Sequence, residues 1–214
     1  MEYSLIMPKL PSLDYEKEYW SEGIGMIAGV DEAGMGSLAG PVTAAIVIFE
    51  AGFHFECELV RDSKLMAAKQ RETAAEWIGR HALAWAVGEA SAQEIDTLNV
   101  RRASHLAMRR AVDDLDIKPD MLLIDGQPAQ PHATIPAVTI VNGDSLSFSI
   151  AAASVMAKVH RDGIMKQLDV GFPLYGFATH KGYGVKKHID ALRRYGACEH
   201  HRKTYAPVAA VLTK

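Results

Sequence analysis

Residues 26–49 read MIAGVDEAGMGSLAGPVTAAIVIF, and this stretch decides the fold class. Residues 26–31 form a short apolar run that ends in acids, and residues 42–49 are rich in β-branched side chains, so both segments predict strands. The segment between them, residues 33–40, is rich in Gly, Ala and Ser and predicts a hairpin-like turn. We therefore expect two neighbouring strands here, the first carrying two carboxylates at its end.

The rest of the chain adds further strands and helices to this pair. Ala103, Leu106, Ala107 and Ala111 fall at helical spacing, for example, and the small residues over 151–154 would let a helix lie close on a sheet. Strands are predicted over 83–88, 121–124 and 137–141, and helices over 67–81, 100–115, 150–168 and 185–194. Three strands, then helices, then strand–helix units indicate an α/β fold with a mixed sheet.

Composition excludes several classes of protein. The longest apolar stretch, residues 42–49, has the length of a strand and is far short of the roughly 20 residues that span a bilayer. Residues 1–20 carry several acids and no uninterrupted apolar core, which is not typical of a secretory signal. The two cysteines, Cys57 and Cys198, lie far apart in sequence and favour unpaired thiols in a reducing cytoplasm.

Charge is distributed unevenly along a chain whose net charge is -3. Residues 155–204 contain ten Lys and Arg but four Asp and Glu, and five of the nine histidines also fall there. A basic third beside an acidic remainder is typical of a phosphate-contacting surface next to a metal centre. A solvated helical surface is an equally simple explanation of the charge alone.

Carboxylates follow three of the predicted strands. Asp31 and Glu32 end the first, Asp125 ends the strand over 121–124, and Asp144 follows the strand over 137–141. Like charges at one edge of a sheet are costly unless a cation neutralises them, and Mg²⁺ and Mn²⁺ prefer oxygen ligands. Two such ions suit phosphodiester hydrolysis. Taken singly, each acid could instead be a turn residue or a helix cap.

Asp31 and Glu32 are adjacent, and neighbours on a regular strand point to opposite faces of the sheet. Both reach one centre only if the strand ends or bends there. Ala33-Gly34 permits that bend, because glycine adopts backbone conformations that other residues avoid. We therefore expect the strand to end or bend at this point.

Residues 34–39 also match G-x-G-x-x-A, a dinucleotide-binding fingerprint. That fingerprint must open a helix whose N-terminus receives the pyrophosphate. Here Gly40-Pro41 intervene before a strand, and Asp31 and Glu32 would repel a diphosphate. A backbone free of large side chains can instead approach a nucleic-acid backbone or a 2′-hydroxyl, the group that distinguishes RNA from DNA.

These motifs closely resemble ribonuclease HII of bacteria. The stretch 29–42 resembles the family's opening signature, and matches follow in order over about residues 26–210. The later matches are Asp62-Ser63-Lys64, Glu94-Ile95-Asp96 with Leu98-Asn99, Leu123-Ile124-Asp125-Gly126, Gly143-Asp144-Ser145, Ile150-Ala151-Ala152-Ala153-Ser154, Ala157-Lys158-Val159 with Arg161-Asp162, Tyr175-Gly176-Phe177, His180-Lys181-Gly182-Tyr183-Gly184, His200-His201-Arg202 and Ala206-Pro207-Val208.

The resemblance implies a ribonuclease H-like α/β fold, with a mixed five-stranded sheet flanked by helices and a C-terminal helical extension. It implies an endoribonuclease that hydrolyses the RNA strand of RNA–DNA hybrids and cuts 5′ to ribonucleotides embedded in duplex DNA, leaving 3′-hydroxyl and 5′-phosphate ends. The implied cofactors are two divalent ions, Mg²⁺ or Mn²⁺. The implied catalytic and metal-binding residues are Asp31, Glu32, Asp125 and Asp144, and the nucleic-acid contacts are Gly34, Met35, Gly36, Lys64, Lys181 and Tyr183.

From the same resemblance we expect three parts of the chain. These are an N-terminal extension over 1–25, a catalytic domain over 26–170 and a C-terminal helical segment over 171–214 that completes the substrate cleft. The protein is expected to be a cytoplasmic monomer without membrane contact that helps to remove misincorporated ribonucleotides from DNA.

Two departures from the family pattern bear on specificity. The family usually has Gly-Arg-Gly where this chain has Met35 between glycines, and a Lys where this chain has Asn142. Both departures remove a positive charge, so a non-catalytic or altered-specificity duplex binder stays an alternative, as does a resolvase-like endonuclease of the same fold. Asp162 follows Arg161, and a helix-surface ion pair is a simpler explanation for it than a role as an outer metal ligand. For His180, a structural role in a loop is a simpler explanation than a catalytic one.

Overall fold

A computed structural model of the protein describes residues 10–53, 59–126 and 129–213. Five strands form one mixed sheet, and its strand order is β3-β2-β1-β4-β5. β1 pairs antiparallel with β2 and parallel with β4, β2 pairs antiparallel with β3, and β4 pairs parallel with β5. The predicted mixed sheet is therefore confirmed. The strands are β1 (Ile27–Ala33), β2 (Val42–Ile48), β3 (Ala84–Ala90), β4 (Met121–Asp125) and β5 (Ala137–Ile140).

Helices flank this sheet and follow it along the chain. The four predicted helices are present as α2 (Ala68–His81), α4 (Val100–Asp113), α5 (Phe148–Gly171) and α7 (Lys186–Tyr195). Four short helices were missed: α1 (Asp14–Ser21), α3 (Ala92–Leu98), α6 (Phe177–His180) and α8 (Ala206–Leu212). A signal for α3 was available, because Ser91 and Glu94 form a capping box in which each side chain accepts the backbone N–H of the other residue.

Two apolar layers hold the helices against the sheet. On one face, Val30 and Ile124 pack with Ala107 and Met108 of α4. On the other face, Ala45 and Val47 of β2 pack with α2 and α5, whose contributions include Ile78 and Ala152. The sheet is thus covered on both sides, and β2 is buried along its whole length.

α5 lies unusually close to the central strand β1. A Cβ added to Gly29 would overlap the backbone of Ser149 and Ile150 at the start of α5. The residues that follow, 151–154, are Ala-Ala-Ala-Ser and are buried. The small side chains predicted to allow close packing therefore do so.

The segments before and after the sheet in the chain both pack against it. Glu16 of α1 is buried, and its Oε1 accepts hydrogen bonds from Ser147 Oγ (2.6 Å) and from the backbone N–H of Ser149 (2.9 Å). At the other end of the chain, Leu38 of the turn between β1 and β2 packs with Leu192 and Val208. We keep the division at residues 25 and 170 as a proposal.

Two further predictions concern single residues and the membrane. Cys198 is a free thiol, while Cys57 lies outside the described residues. Within the three described ranges, none of the helices combines the length and the apolar character needed to cross a bilayer.

Gly29→Ala should destabilise the fold, because the new methyl group meets the backbone of α5, which cannot move without disturbing its packing. We expect a loss of about 1–3 kcal/mol in the free energy of unfolding, measured from urea denaturation. Gly163→Ala in the same helix is the control, since an added Cβ there meets no heavy atom within 4 Å. It should gain roughly 0.5–1 kcal/mol. Equal stability of Gly29→Ala and the wild type would contradict the close approach.

Candidate active site

Three carboxylates meet at one edge of the sheet. Asp31 lies in β1, Asp125 ends the parallel neighbour β4, and Asp144 lies in a short 3-10 turn, Gly143–Ser145, after β5. Each offers an oxygen, and the three oxygens lie within 4.8 Å of one another. Asp31 and Asp144 are only 3% and 4% exposed. The structure therefore brings together three of the four acids predicted to converge.

The fourth acid, Glu32, approaches from the other face of the sheet. β1 ends at Ala33, and Gly34 has a φ of +95°, so the strand ends at Ala33-Gly34 as predicted. Ala33 still pairs with Thr43 of β2, however, so Asp31 and Glu32 both lie on the regular part of the strand. Regular pleating sends the side chain of Asp31 towards α5 and that of Glu32 towards α4. Glu32 is hydrogen-bonded to Ser104 of α4. It lines a cavity of about 310 Å³ next to Asp125.

Crowding changes the proton affinity of these acids. Burial raises the pKa of Asp31 well above its usual value, and the charges of Glu32 and Asp125 raise it further. Burial also raises the pKa of Asp125, with Asp144 as the next cause. Asp125 Oδ1 accepts the backbone N–H of Gly143 at 2.6 Å, which fixes its position. A crowded set of oxygen donors of this kind fits a hard divalent cation.

A lysine partly neutralises the three-carboxylate cluster. Lys64 Nζ lies 2.7 Å from Asp144 Oδ2. Burial alone would lower the pKa of Lys64, but the hydrogen bond to Asp144 and the nearby Asp31 raise it. The preceding Ser63 lies with its Oγ 2.9 Å from Ser154 Oγ on α5. Lys64, predicted as a phosphate contact, is thus placed beside the catalytic candidates.

The glycine-rich turn, residues 34–41, is held from behind by two arginines that sequence analysis did not single out. Arg161 and Arg202 are each 0% exposed. Within the described part of the chain neither makes an ion pair with a carboxylate. Instead they donate to backbone carbonyls. Arg202 donates to Gly34 O (2.7 Å), Met35 O (2.7 Å), Gly40 O (3.1 Å) and Pro41 O (3.2 Å), and Arg161 to Pro41 O (2.9 Å), Lys181 O (3.0 Å) and Ala39 O (3.2 Å).

The arginines determine how the predicted nucleic-acid contacts are placed. Gly34 has a φ of +95°, and a Cβ there would overlap the side chain of Arg161. Gly36 is exposed, and no heavy atom lies within 4 Å of a Cβ added there. The Met35 side chain packs beside the α4 core and lines the cavity next to Glu32. The turn therefore leaves its backbone open to solvent at Gly36, next to Met35 in the cavity that Glu32 and Asp125 also line.

Tyr183 lies in a loop held against this turn. Its ring is 38% exposed, and its centroid lies 5.7 Å from Arg161 Cζ. The Tyr183 carbonyl lies 2.9 Å from Nδ1 of His188, whose Nε2 lies 3.0 Å from that of His201. His180 Nδ1 accepts the Gly182 N–H at 3.2 Å, which leaves Nε2 to donate to a carbonyl at 2.8 Å. These contacts agree with the structural role predicted for His180.

Two predictions about single positions need comment. Asp162 forms an ion pair, as predicted, but it is buried instead of lying on the helix surface, and its partners are Lys158 (2.6 Å) of the same helix and Arg71 (3.6 Å). The geometric reason is that neighbours on a helix diverge, whereas residues four apart meet. Asn142 has a φ of 56°, a left-handed conformation that asparagine adopts more readily than lysine.

Arg202→Lys should weaken the attachment of the glycine-rich turn. A lysine ammonium cannot reproduce the planar set of N–H donors of a guanidinium, so several buried carbonyls lose their hydrogen-bond partner. We expect a loss of roughly 2–4 kcal/mol in the free energy of unfolding. Arg194→Lys, on an exposed face of α7, should change stability by less than about 0.5 kcal/mol. Urea denaturation of both variants tests this, and an Arg202→Lys protein as stable as the wild type would refute the role given to the arginine.

Comparison with known proteins places this geometry in a family. The sequence model of the family described as Ribonuclease HII matches residues 28–208. Ribonuclease HII of Myxococcus xanthus is 48% identical over 200 residues, which cover 94% of this chain and 68% of that protein. Ribonuclease HII of Acholeplasma laidlawii is 48% identical over 203 residues, which cover 95% of this chain and 98% of that protein.

Solved structures show the same fold. Ribonuclease H2 from Pyrococcus horikoshii OT3 superposes with a TM-score of 0.73 at 22% identity, covering 87% of this chain and 96% of that one. Bst-RNase HIII, solved in complex with Mn²⁺, superposes with a TM-score of 0.66 at 18% identity, covering 90% and 71%. The predicted ribonuclease H-like fold is confirmed. The chain belongs to the ribonuclease HII family, endoribonucleases that act on RNA–DNA hybrids.

Proposed function

We propose that this endoribonuclease cuts the phosphodiester bond 5′ to a ribonucleotide embedded in duplex DNA, as well as the RNA strand of hybrids, and leaves 3′-hydroxyl and 5′-phosphate ends. The observation that supports this most is the convergence of Asp31, Asp125 and Asp144, of which Asp31 and Asp144 are buried, beside the glycine-rich turn. Carboxylates that converge in this way favour phosphoryl chemistry with a hard cation.

We assign Asp31, Glu32, Asp125 and Asp144 as the residues that would hold two divalent ions, Mg²⁺ or Mn²⁺. Ions bound there supply a Lewis acid that activates water and stabilises the leaving oxygen. The chain's own contribution is to hold the carboxylates. The Gly143 N–H orients Asp125, Lys64 orients Asp144, and Ser154 hydrogen-bonds Asp31.

Recognition of the ribose is assigned to the backbone of Gly34, Met35 and Gly36 and to Tyr183. Backbone N–H and C=O groups can bond a 2′-hydroxyl, and an aromatic ring can pack on a sugar. Lys64 and Lys181 complete the proposed contacts. A non-catalytic duplex binder, the alternative raised by Met35 and Asn142, is not favoured over hydrolysis. A cytoplasmic location and a monomeric state belong to this proposal.

Cleavage of two labelled duplexes tests the proposal directly. One duplex carries a single ribonucleotide within DNA, and the other a continuous RNA strand on DNA. We expect cutting of both with Mg²⁺ or Mn²⁺, 5′ to the lone ribonucleotide in the first, and none with chelator. Cutting of the continuous RNA alone would show that junction recognition has been lost with the arginine that Met35 replaces.

Asp125→Asn should reduce turnover to the level of the metal-free reaction while the fold persists. Without metal, the melting temperature should equal or exceed that of the wild type, because the raised pKa of Asp125 means that its charge is unfavourable in the folded state. Asp116→Asn, an exposed position after α4, is the matched control and should keep full activity. Near-normal turnover of Asp125→Asn would show the assignment of the metal site to be wrong.

A further inference from the structure

A basic groove lies between α2, α5 and the segment at the end of α6 that includes Lys181. Its volume is about 380 Å³. We call it the α2–α5 groove, and its charged lining residues are Arg71, Glu72, Lys158, Asp162, Lys166 and Lys181. Four of these side chains are cationic and two are anionic, so the groove carries a net positive charge.

The two acids of the groove are already engaged with the other cations. Asp162 is held by Lys158 and Arg71, and Glu72 lies 3.2 Å from Lys166 Nζ. Lys181 has no carboxylate within ion-pair distance in the described ranges, and its ammonium donates to the carbonyl of Ala178.

The surroundings of Lys181 disfavour its charge. Burial lowers the pKa of Lys181, and the nearby Lys166 and Lys158 lower it further, although Asp162 acts in the opposite direction. A cation that is both partly buried and repelled gains from an anion bound beside it. The α2–α5 groove therefore has the charge of a site for an anion.

The α5 side of the groove lies on the helical turns that follow Ser154. Ser154, which hydrogen-bonds Asp31, is followed on the same face of α5 by Lys158, Asp162 and Lys166 at intervals of four residues. With a rise of about 1.5 Å per residue, Lys158 and Lys166 lie roughly 6 and 18 Å along the axis from Ser154. One strand of a duplex advances about 3.4 Å per phosphate, so this distance spans on the order of two to five phosphates.

We propose that the α2–α5 groove binds a backbone phosphate of the nucleic-acid substrate, about two to five nucleotides from the bond that is cut, with Lys166 and Lys181 as its contacts. The proposal rests on the proposed function, since it takes the three-carboxylate cluster as the cleavage point. Glu72 holds Lys166 at the rim of the groove in the free protein and competes with the phosphate for it. The groove thus positions the strand and takes no part in the chemistry.

Lys166→Gln tests the contact because its side chain is more than half exposed and lies outside the core. Binding to a duplex with one ribonucleotide is measured by fluorescence anisotropy in chelator over a series of salt concentrations. We expect affinity to fall roughly fivefold at 0.15 M salt and the slope of log K against log salt to flatten by about one. Lys118→Gln is the matched control. Lys118 precedes β4 and so lies at the edge of the sheet opposite Asp125, and this variant should bind like the wild type.

Glu72→Gln supplies a change of opposite sign. It removes the carboxylate that competes for Lys166, so we expect tighter binding than in the wild type. Unchanged affinity in both Lys166→Gln and Glu72→Gln would overturn the proposal.

Shortened duplexes locate the phosphate. When base pairs are removed from one end, wild-type affinity should fall once the duplex is too short to place a phosphate in the groove. With duplexes of that length or shorter, Lys166→Gln should not lower the affinity further. An effect of Lys166→Gln that is independent of length would mean that the groove takes a free anion instead of the strand, which also overturns the proposal.

Wild-type cleavage is measured in parallel. Normal cleavage with no effect of Lys166→Gln refutes only the groove, whereas a length-dependent effect without cleavage refutes only the proposed function.

Discussion

The active site depends on the close approach of α5 to β1. Because Gly29 has no side chain, the start of α5 lies directly on the central strand, two residues before Asp31. That contact places Ser154 beside Asp31 and places the 3-10 turn with Asp144 next to the end of β4. A larger side chain at 29 would push α5 outwards and carry these groups apart. Packing of α5 on β1 therefore sets the positions of the carboxylates, although their mutual repulsion opposes bringing them together.

Positive charge is buried on the other side of the glycine-rich turn, but it does not quench the acids. Arg161 and Arg202 donate their hydrogen bonds to backbone carbonyls. The carbonyl dipoles stabilise each guanidinium, and the charge of the carboxylates is not neutralised by it. Separate partners for the two kinds of buried charge thus hold the turn firmly and leave the acids available to a cation.

Sequence alone predicted all five strands, the four longest helices and the acids that converge, because these depend on local patterns of apolar residues and on where each strand ends. It failed where the deciding contact was distant. Local sequence does not show that Arg161 and Arg202 are buried, since most of their partners, the carbonyls of the glycine-rich turn, lie more than 100 residues away in the chain. The same limit applies to Glu32, whose direction depends on how far β1 stays paired with β2. α1 was not predicted because the buried residue that holds it, Glu16, is hydrogen-bonded by serines that lie far away in sequence.

Met35, at the position where the family usually has an arginine, does not set the path of the glycine-rich turn. The turn is positioned through its carbonyls by Arg202, so its backbone path does not depend on which side chain Met35 carries. The methionine side chain is flexible and apolar, and it packs against the α4 core. A cation is still present nearby, since Arg101 of α4 lines the same cavity as Met35 and Glu32. Arg101 therefore places a cation beside this cavity from a helix, and we propose that recognition through the backbone of the turn does not require a basic side chain at position 35.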